Sequence, residues 1–563
     1  MDKNLEKEKE LYRKERKERI SKNAKANEKG SSKGRDHTAA ISKVLSWIFC
    51  IVLVGAIVVG AVVQFGVPQK VLKAVKIDGK SYSAAEYAFY YSSVYNSFAN
   101  YSKNYGATYA DGFDYNQPAE NQTHTDSDGN EETFDKYFAK LAVDNMANVK
   151  RYYAKALENN IELTEEDNET INEAMTQFDS QRENYSVSSY LSKIYGRGVT
   201  ERLFKKIITE QQYVTRFKDV KTEEFNNDIT ADKINAEYSA NKKDYDVVDF
   251  RWYTIDIDTT AADTDKAKSD AEAKADEFIA AVKADGNTED AFKKQAILFL
   301  DKDSEDYESD KETYSKDGAT ILHKTDYATV SSSVSEDAAN WVYSVDDNGN
   351  YNRPAGEMAK YSTDEYVYII YTLGAPYQDT VKPVSVRHIL CAFSTEGTQE
   401  VPTDEQKQAA KEKAEKVLQS YKDALSQSGK DYDEDAFVNL VADNSDDTGT
   451  SSKGGLIEDM INNDQYVAEF EDWAFAEGNY AGEARKTGDV GIIETEYGYH
   501  VMYFVGQADE PSWYTTIKDK LVDSESDKYW EDFDAQFSDD DVTTVDWVKD
   551  RVVASQNKKF AQN

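Results

Sequence analysis

Apolar and polar positions change rhythm several times along the chain. Residues 44–69 read VLSWIFCIVLVGAIVVGAVVQFGVPQ, 26 consecutive positions without a charge. A hydrocarbon core roughly 30 Å thick needs about 20 such residues as a helix, so residues 44–66 are expected to span a membrane. Trp47 lies near the entry, where indoles favour the interface. The run is longer than the core of a cleaved signal peptide, and no small-x-small site follows it cleanly. Beyond it, a short β-prone stretch turns at Asp78-Gly79. Ser83, with Glu86 three residues on, predicts a helix opened by a capping box. Helical spacing then dominates to about Lys242, with a polar loop near residues 106–131. The stripe Tyr87, Tyr90, Tyr91, Tyr95, Phe98 repeats at helical spacing and reads as core.

From Val248 onward the pattern changes to strand, long helix, shorter helices and closing strands, and the unit occurs twice. Residues 337–374 align without gaps on 469–506: Trp341 matches Trp473, Arg353 matches Arg485, Gly356 matches Gly488, Thr363 matches Thr495 and Tyr371 matches Tyr503. Upstream, VDFRWYTIDI from Val248 resembles VSVRHILCAF from Val384. Two copies of one α+β unit therefore stand in tandem. The closing segment from Trp513 to Val548 alternates charged and aromatic residues and is expected to be an amphipathic helix that packs back on the N-terminal helices.

Charge sharpens this organisation. The 563 residues carry 67 Lys+Arg and 106 Asp+Glu, a net −39. The first 43 residues alone sum to +6 and the remainder to −45. A basic flank before the apolar run places the N-terminus in the cytoplasm and the rest outside. An acidic exterior repels phosphate backbones, so no nucleic acid partner is expected. Cys50 and Cys391 cannot form a disulfide framework, which for an exported chain fits a Gram-positive surface. Asp126-Ser127-Asp128-Gly129 lacks the ligand spacing of a calcium loop and reads as solvated turn. No metal cluster, phosphate loop or serine triad is visible, and no cofactor is implied.

Two histidines carry the candidate chemistry. His388 lies in the first strand of the second copy and His500 in its last, positions that become hydrogen-bonded neighbours if the two strands are adjacent. The surrounding motifs are Arg387-His388-Ile389-Leu390, Asn444-Ser445-Asp446-Asp447, Gly454-Gly455, Phe470 before Trp473-Ala474-Phe475, Gly488-Asp489, and Thr495 before Gly498-Tyr499-His500. With them the stretch from about Val384 to Gly506 resembles a parvulin peptidyl-prolyl isomerase domain. Its flanks resemble the membrane-anchored foldases of the PrsA and SurA kind.

That resemblance implies a fold class: α+β, tandem parvulin-like units with antiparallel sheets and surrounding helices, inserted in a helical chaperone domain behind one transmembrane helix. The implied division is a charged tail (1–43), the membrane helix (44–66), a helical domain (67–243), a degenerate parvulin-like unit (244–377), a parvulin domain (382–508) and a C-terminal helical segment (509–563). It also implies that His388 and His500 form the central dyad, that Thr495 supports it, and that Asp447 fills the position where the family carries Cys or Asp. Phe470 would floor the proline pocket, with Tyr466 and Leu456 as walls. Two departures narrow that pocket: the family's GGDLG reads Gly-Gly-Leu-Ile-Glu, and Tyr497 replaces a small residue. The first copy carries Trp252, Tyr368, Ala338 and Val334 where the second has His388, His500, Phe470 and Tyr466, and reads as catalytically dead. The implied clients are unfolded or newly exported polypeptides with X-Pro bonds, and the alternative is a non-catalytic holdase.

Overall fold

The computed structural model describes residues 70–182, 185–304, 306–394 and 402–560. The expected membrane span, the basic tail and Cys50 lie outside them. Among the described residues no helix is long and apolar enough to cross a membrane. The described chain divides into two compact units: one of Ala231–Asp519, and one joining the residues up to Thr230 with those from Lys520 onward.

In the latter unit, strands β1 (Lys73–Ile77) and β2 (Lys80–Ser83) form a hairpin. Asp78 (φ 47°) and Gly79 (φ 80°) both take positive φ, as a two-residue turn between twisted strands requires. Ser83 then caps the helix Ala84–Tyr105, its Oγ accepting from the Glu86 amide at 3.2 Å. The return arm of the expected capping box is not made. Glu86 is buried, and its carboxylate takes the ammonium groups of Lys150 and Lys206 instead. Lys150, equally buried, is shared with Glu210; a charge removed from water needs such partners. Tyr87, Tyr90, Tyr91 and Tyr95 are buried and Phe98 packs against them, so the stripe is core.

Strands β3 (Thr123–Thr125) and β4 (Glu131–Thr133) flank the Asp126 turn. There Asp126 Oδ1 accepts the amides of Asp128 and Asn130 at 3.0 and 2.8 Å. The C-terminal residues belong to this unit. Trp530 stacks on Tyr152 at 5.3 Å and Phe533 meets the same ring edge-on at 4.6 Å. The continuous helix expected there is broken, however. It runs Ser512–Asp534, gives way to the strand Val542–Thr544 paired with β1, and resumes at Asp546–Phe560. After the helix, Ser538 opens a short turn over Asp539–Asp541, its hydroxyl accepting from the Asp540 amide.

The other unit holds two four-stranded antiparallel sheets of the same order. The first is β6-β5-β8-β7, with β5 Val247–Asp256, β6 Ile321–Asp326, β7 Met358–Ser362 and β8 Tyr366–Thr372. The second is β10-β9-β12-β11, with β9 Val384–Ala392, β10 Leu456–Met460, β11 Val490–Thr495 and β12 Gly498–Gln507. The registers correspond: Trp252 faces Ile370 as His388 faces Met502, and Thr254 faces Tyr368 as Leu390 faces His500.

One face of each sheet is covered by a long helix. Ala275, Phe278 and Val282 of Thr264–Ala284 pack on Tyr253, Ile255, Val367 and Ile369. Ala414, Val417 and Tyr421 of Asp404–Ser428 pack on Ile389, Cys391, Val501 and Tyr503. A shared staple closes each copy: Arg353 donates to Trp341 O and Arg485 to Trp473 O, both at 2.8 Å, and each guanidinium lies 4.8 Å from the indole it staples.

Candidate functional site

Because side chains alternate across a strand, Ile389 and Cys391 face the long helix and His388 faces the other way. His500, one strand over on β12, shares that face. The two imidazoles meet Nδ1 to Nδ1 at 3.1 Å, with ring centroids 5.3 Å apart. Both are buried. On the far side of His500, Nε2 lies 3.0 Å from Thr495 Oγ1, which also reaches Gly498 O at 3.3 Å. On the far side of His388, Nε2 lies 3.0 Å from Asp447 Oδ2. Asp447 is aimed by its loop: the Asp446 amide donates to Leu390 O at 2.8 Å, and Ser445 Oγ accepts from the Leu390 amide at 3.2 Å. A continuous chain, Asp447–His388–His500–Thr495, results.

Thr450 also belongs to this chain. Its hydroxyl donates to Asp447 Oδ2 at 2.5 Å and lies 3.1 Å from His388 Nε2. Thr450 is not among the site residues that the sequence motifs single out. Its available signal was a hydroxyl three residues after Asp447, the spacing at which side chains close a turn.

The electrostatics of the chain follow from its partners. Hydrogen bonding by His388 holds the Asp447 carboxyl well below the ordinary carboxylate range, so it is ionised. Burial, reinforced by the charge of His388, pushes His500 down to about 3, against a weaker upward pull from Asp447. His500 is therefore neutral at physiological pH and carries one N–H. That proton sits on Nε2, facing Thr495, or on Nδ1, facing His388, and the hydroxyl of Thr495 serves as acceptor or donor accordingly.

Phe470 stands edge-on to both imidazoles, at 5.4 Å from His388 and 5.5 Å from His500. Tyr466 stacks on Phe470 at 5.7 Å. The structure does not bring Leu456 into this group. Leu456 pairs with Arg387, whose side chain goes to Glu434 and the carbonyls of Lys453 and Gly454. Ile457, opposite Val386, and Met460, opposite Val384, are the β10 residues in the apolar cluster with Phe470. Tyr497 sits 40% exposed in the β11–β12 turn, its amide donating to Thr495 Oγ1 at 3.2 Å. Gly455 allows the close approach beneath His388: it has φ 71°, its carbonyl accepts the His388 amide at 2.9 Å, and a Cβ there would lie 2.3 Å from His388 O.

Residues 388–506 match the family model described as Rotamase: PPIC-type PPIASE domain. This segment is a parvulin-type peptidyl-prolyl cis-trans isomerase domain, and the chain that carries it is a peptidyl-prolyl isomerase. Among solved structures, the chain is similar to the 1.70 Å crystal structure of peptidylprolyl isomerase (PrsA) from Bacillus anthracis, at 14% sequence identity and a TM-score of 0.17. That match covers 52% of this chain and 91% of the other. No curated protein matches the chain.

Proposed function

We propose that this protein is a membrane-anchored foldase that isomerises X-Pro bonds of exported polypeptides at the outer face of the cell membrane. His388, His500, Asp447 and Thr495 form its catalytic centre. The observation that carries the reading is the unbroken hydrogen-bonded chain lying beside the Phe470 ring.

An X-Pro bond turns over a barrier of roughly 18–20 kcal/mol, and uncatalysed exchange takes on the order of tens to hundreds of seconds. No bond breaks. Twisting the amide removes its conjugation and much of its charge separation, so an apolar surface favours the twisted state over the planar one. Phe470 supplies that surface for the pyrrolidine ring, with Tyr466 and Ile457 beside it. The buried imidazoles are fixed at both ends, by Asp447 and by Thr495, so the polar edge of the pocket does not reorganise as the bond turns. Asp447 stays ionised and outside any covalent chemistry.

The membrane assignment rests on the 26 uncharged positions and their basic flank. Protease added outside intact cells is expected to remove an epitope placed at Asn563 and spare one at Met1; protection of both overturns the topology. A second reading, a holdase without catalysis, draws support from the first copy, which keeps the Arg353–Trp341 staple but has no histidine pair.

A further inference from the structure

Two helices of the unit that holds β1 begin at the same end of it. Ala84 N donates to Leu72 O and Val545 N donates to Ala74 O, both at 2.8 Å. These bonds set the first turns of Ala84–Tyr105 and Asp546–Phe560 beside Lys70–Lys73. The helices then run side by side in one direction: Tyr91 Oη donates to Asn557 Oδ1 at 2.8 Å, and Tyr95 stacks on Phe560 at 3.6 Å.

Three large apolar side chains are left in the open at this end: Val71 is 74% exposed, Val545 38% and Trp547 59%. The inner faces of the same elements are filled without them. Val548, Val552 and Val553 turn into the core from the helix, as do Val75 and Ile77 from β1. Lys70 and Lys73 are exposed beside them. Of the carboxylates here, Asp546 accepts from Thr544 Oγ1 at 2.6 Å and lies 3.7 Å from Lys549 Nζ, and Asp550 stands one turn further along the helix. Apolar side chains with an indole and flanking lysines make up a surface for the membrane interface, where indoles lie at headgroup level and ammonium groups meet phosphate.

The position of this end along the chain names the occupant. The expected membrane span closes at residue 66, five positions before Val71. Such a tether reaches at most about 18 Å. The headgroup layer is itself roughly 5–7 Å deep on each side of the bilayer. This end therefore stays within reach of the lipid, whereas the far end of the 22-residue helix Ala84–Tyr105 stands about 33 Å away from it.

We propose that this end of the unit is a membrane-seating surface. Trp547, Val545 and Val71 insert among the lipid headgroups, and Lys70 and Lys73 contact their phosphates. The unit is thereby held in one orientation on the bilayer instead of swinging on its tether. The proposal rests on the membrane-anchored reading and adds a second lipid contact to it.

The test is tryptophan fluorescence of the full chain in vesicles of phosphatidylcholine and phosphatidylglycerol, with and without lipids brominated near the headgroup end of the acyl chain. Wild type is measured beside Trp547→Phe. The difference between them isolates Trp547, and the quenching that remains in Trp547→Phe reports Trp47 in the expected span. The Trp547 signal is expected to fall at least about twofold on bromination and to resist iodide added to the water. Val71→Glu, at an exposed position that leaves the core alone, is expected to reverse both effects. A Trp547 signal quenched by iodide and untouched by bromination, with Trp47 still quenched, overturns the seating surface and leaves the anchor standing. Bromolipid quenching of neither tryptophan overturns the anchor and the surface together. Shielding from iodide that vanishes at one chain per vesicle, without bromolipid quenching, assigns the face to a second copy and also overturns the proposal.

Discussion

Trp252 holds in the first sheet the position that His388 holds in the second, and its ring stacks on Tyr368 at 5.8 Å where His388 faces His500 at 5.3 Å. One backbone thus frames two different pairs. In one the rings join a charge-anchored hydrogen-bond chain, and in the other they form a side of an aromatic cavity.

The first copy is therefore expected to be inert. In the double variant His388→Ala/His500→Ala, exchange of an X-Pro peptide should fall to the uncatalysed rate. Catalysis persisting above that background would assign turnover to the first copy.

Thr450 ties Asp447 to His388 and is expected to position both. Thr450→Val should lower kcat/KM about three- to tenfold, the scale of one or two hydrogen bonds. Thr450→Ser, which keeps the hydroxyl, should restore most of the loss. A serine variant as impaired as the valine variant would point to packing of the methyl group instead.

His500 should stay neutral far into acid. With histidine-selective labelling, its imidazole signal is expected to hold its neutral position down to about pH 4.5, since its value is lowered from 6.5 to about 3. The sign for stability follows. The unfolded chain takes up this proton near 6.5 and the folded one only near 3, so stability is lost as pH falls through that window. Asp447 acts in the same direction: its folded value lies below its unfolded one, and its contribution is lost as pH falls through the folded value. His500→Gln should therefore make unfolding of the domain less acid-sensitive between about pH 6.5 and 4.

Gly455→Ala should destabilise the domain by about 2–4 kcal/mol, from a strained positive φ and a Cβ pressed on the His388 carbonyl. Urea unfolding monitored at Trp473 reads this; a shift under about 0.5 kcal/mol would mean that the loop relaxes freely.

Much of this arrangement was legible because the chain repeats. The strand patterns around His388 and His500 placed them on the first and last strands of one unit, and the sheet order β10-β9-β12-β11 makes those strands neighbours. Phe470 was found through the parvulin resemblance, as the aromatic residue preceding Trp473-Ala474-Phe475. What escaped depends on contacts that linear spacing does not encode. Leu456 and Ile457 differ by one position, and a one-residue step in a strand exchanges faces; the bulge before Met460 removes the register cue. Thr450 gains its role only when the loop folds under His388. Glu86 looked like half of a capping box, but burial beside Lys150 outweighed a cap that the Ser83 hydroxyl alone already provides. The C-terminal helix is interrupted because the neighbouring β1 edge accepts Val542–Thr544 as a third strand, Val542 pairing with Ile77 across 465 positions of sequence.

The most direct test of the central claim is cis/trans exchange NMR on a short X-Pro peptide with the full chain, wild type beside His500→Ala. Wild type should accelerate exchange and His500→Ala should slow it at least about tenfold without loss of the fold. Equal acceleration by both proteins, or none by either, would contradict a catalytic centre built on the His388–His500 pair.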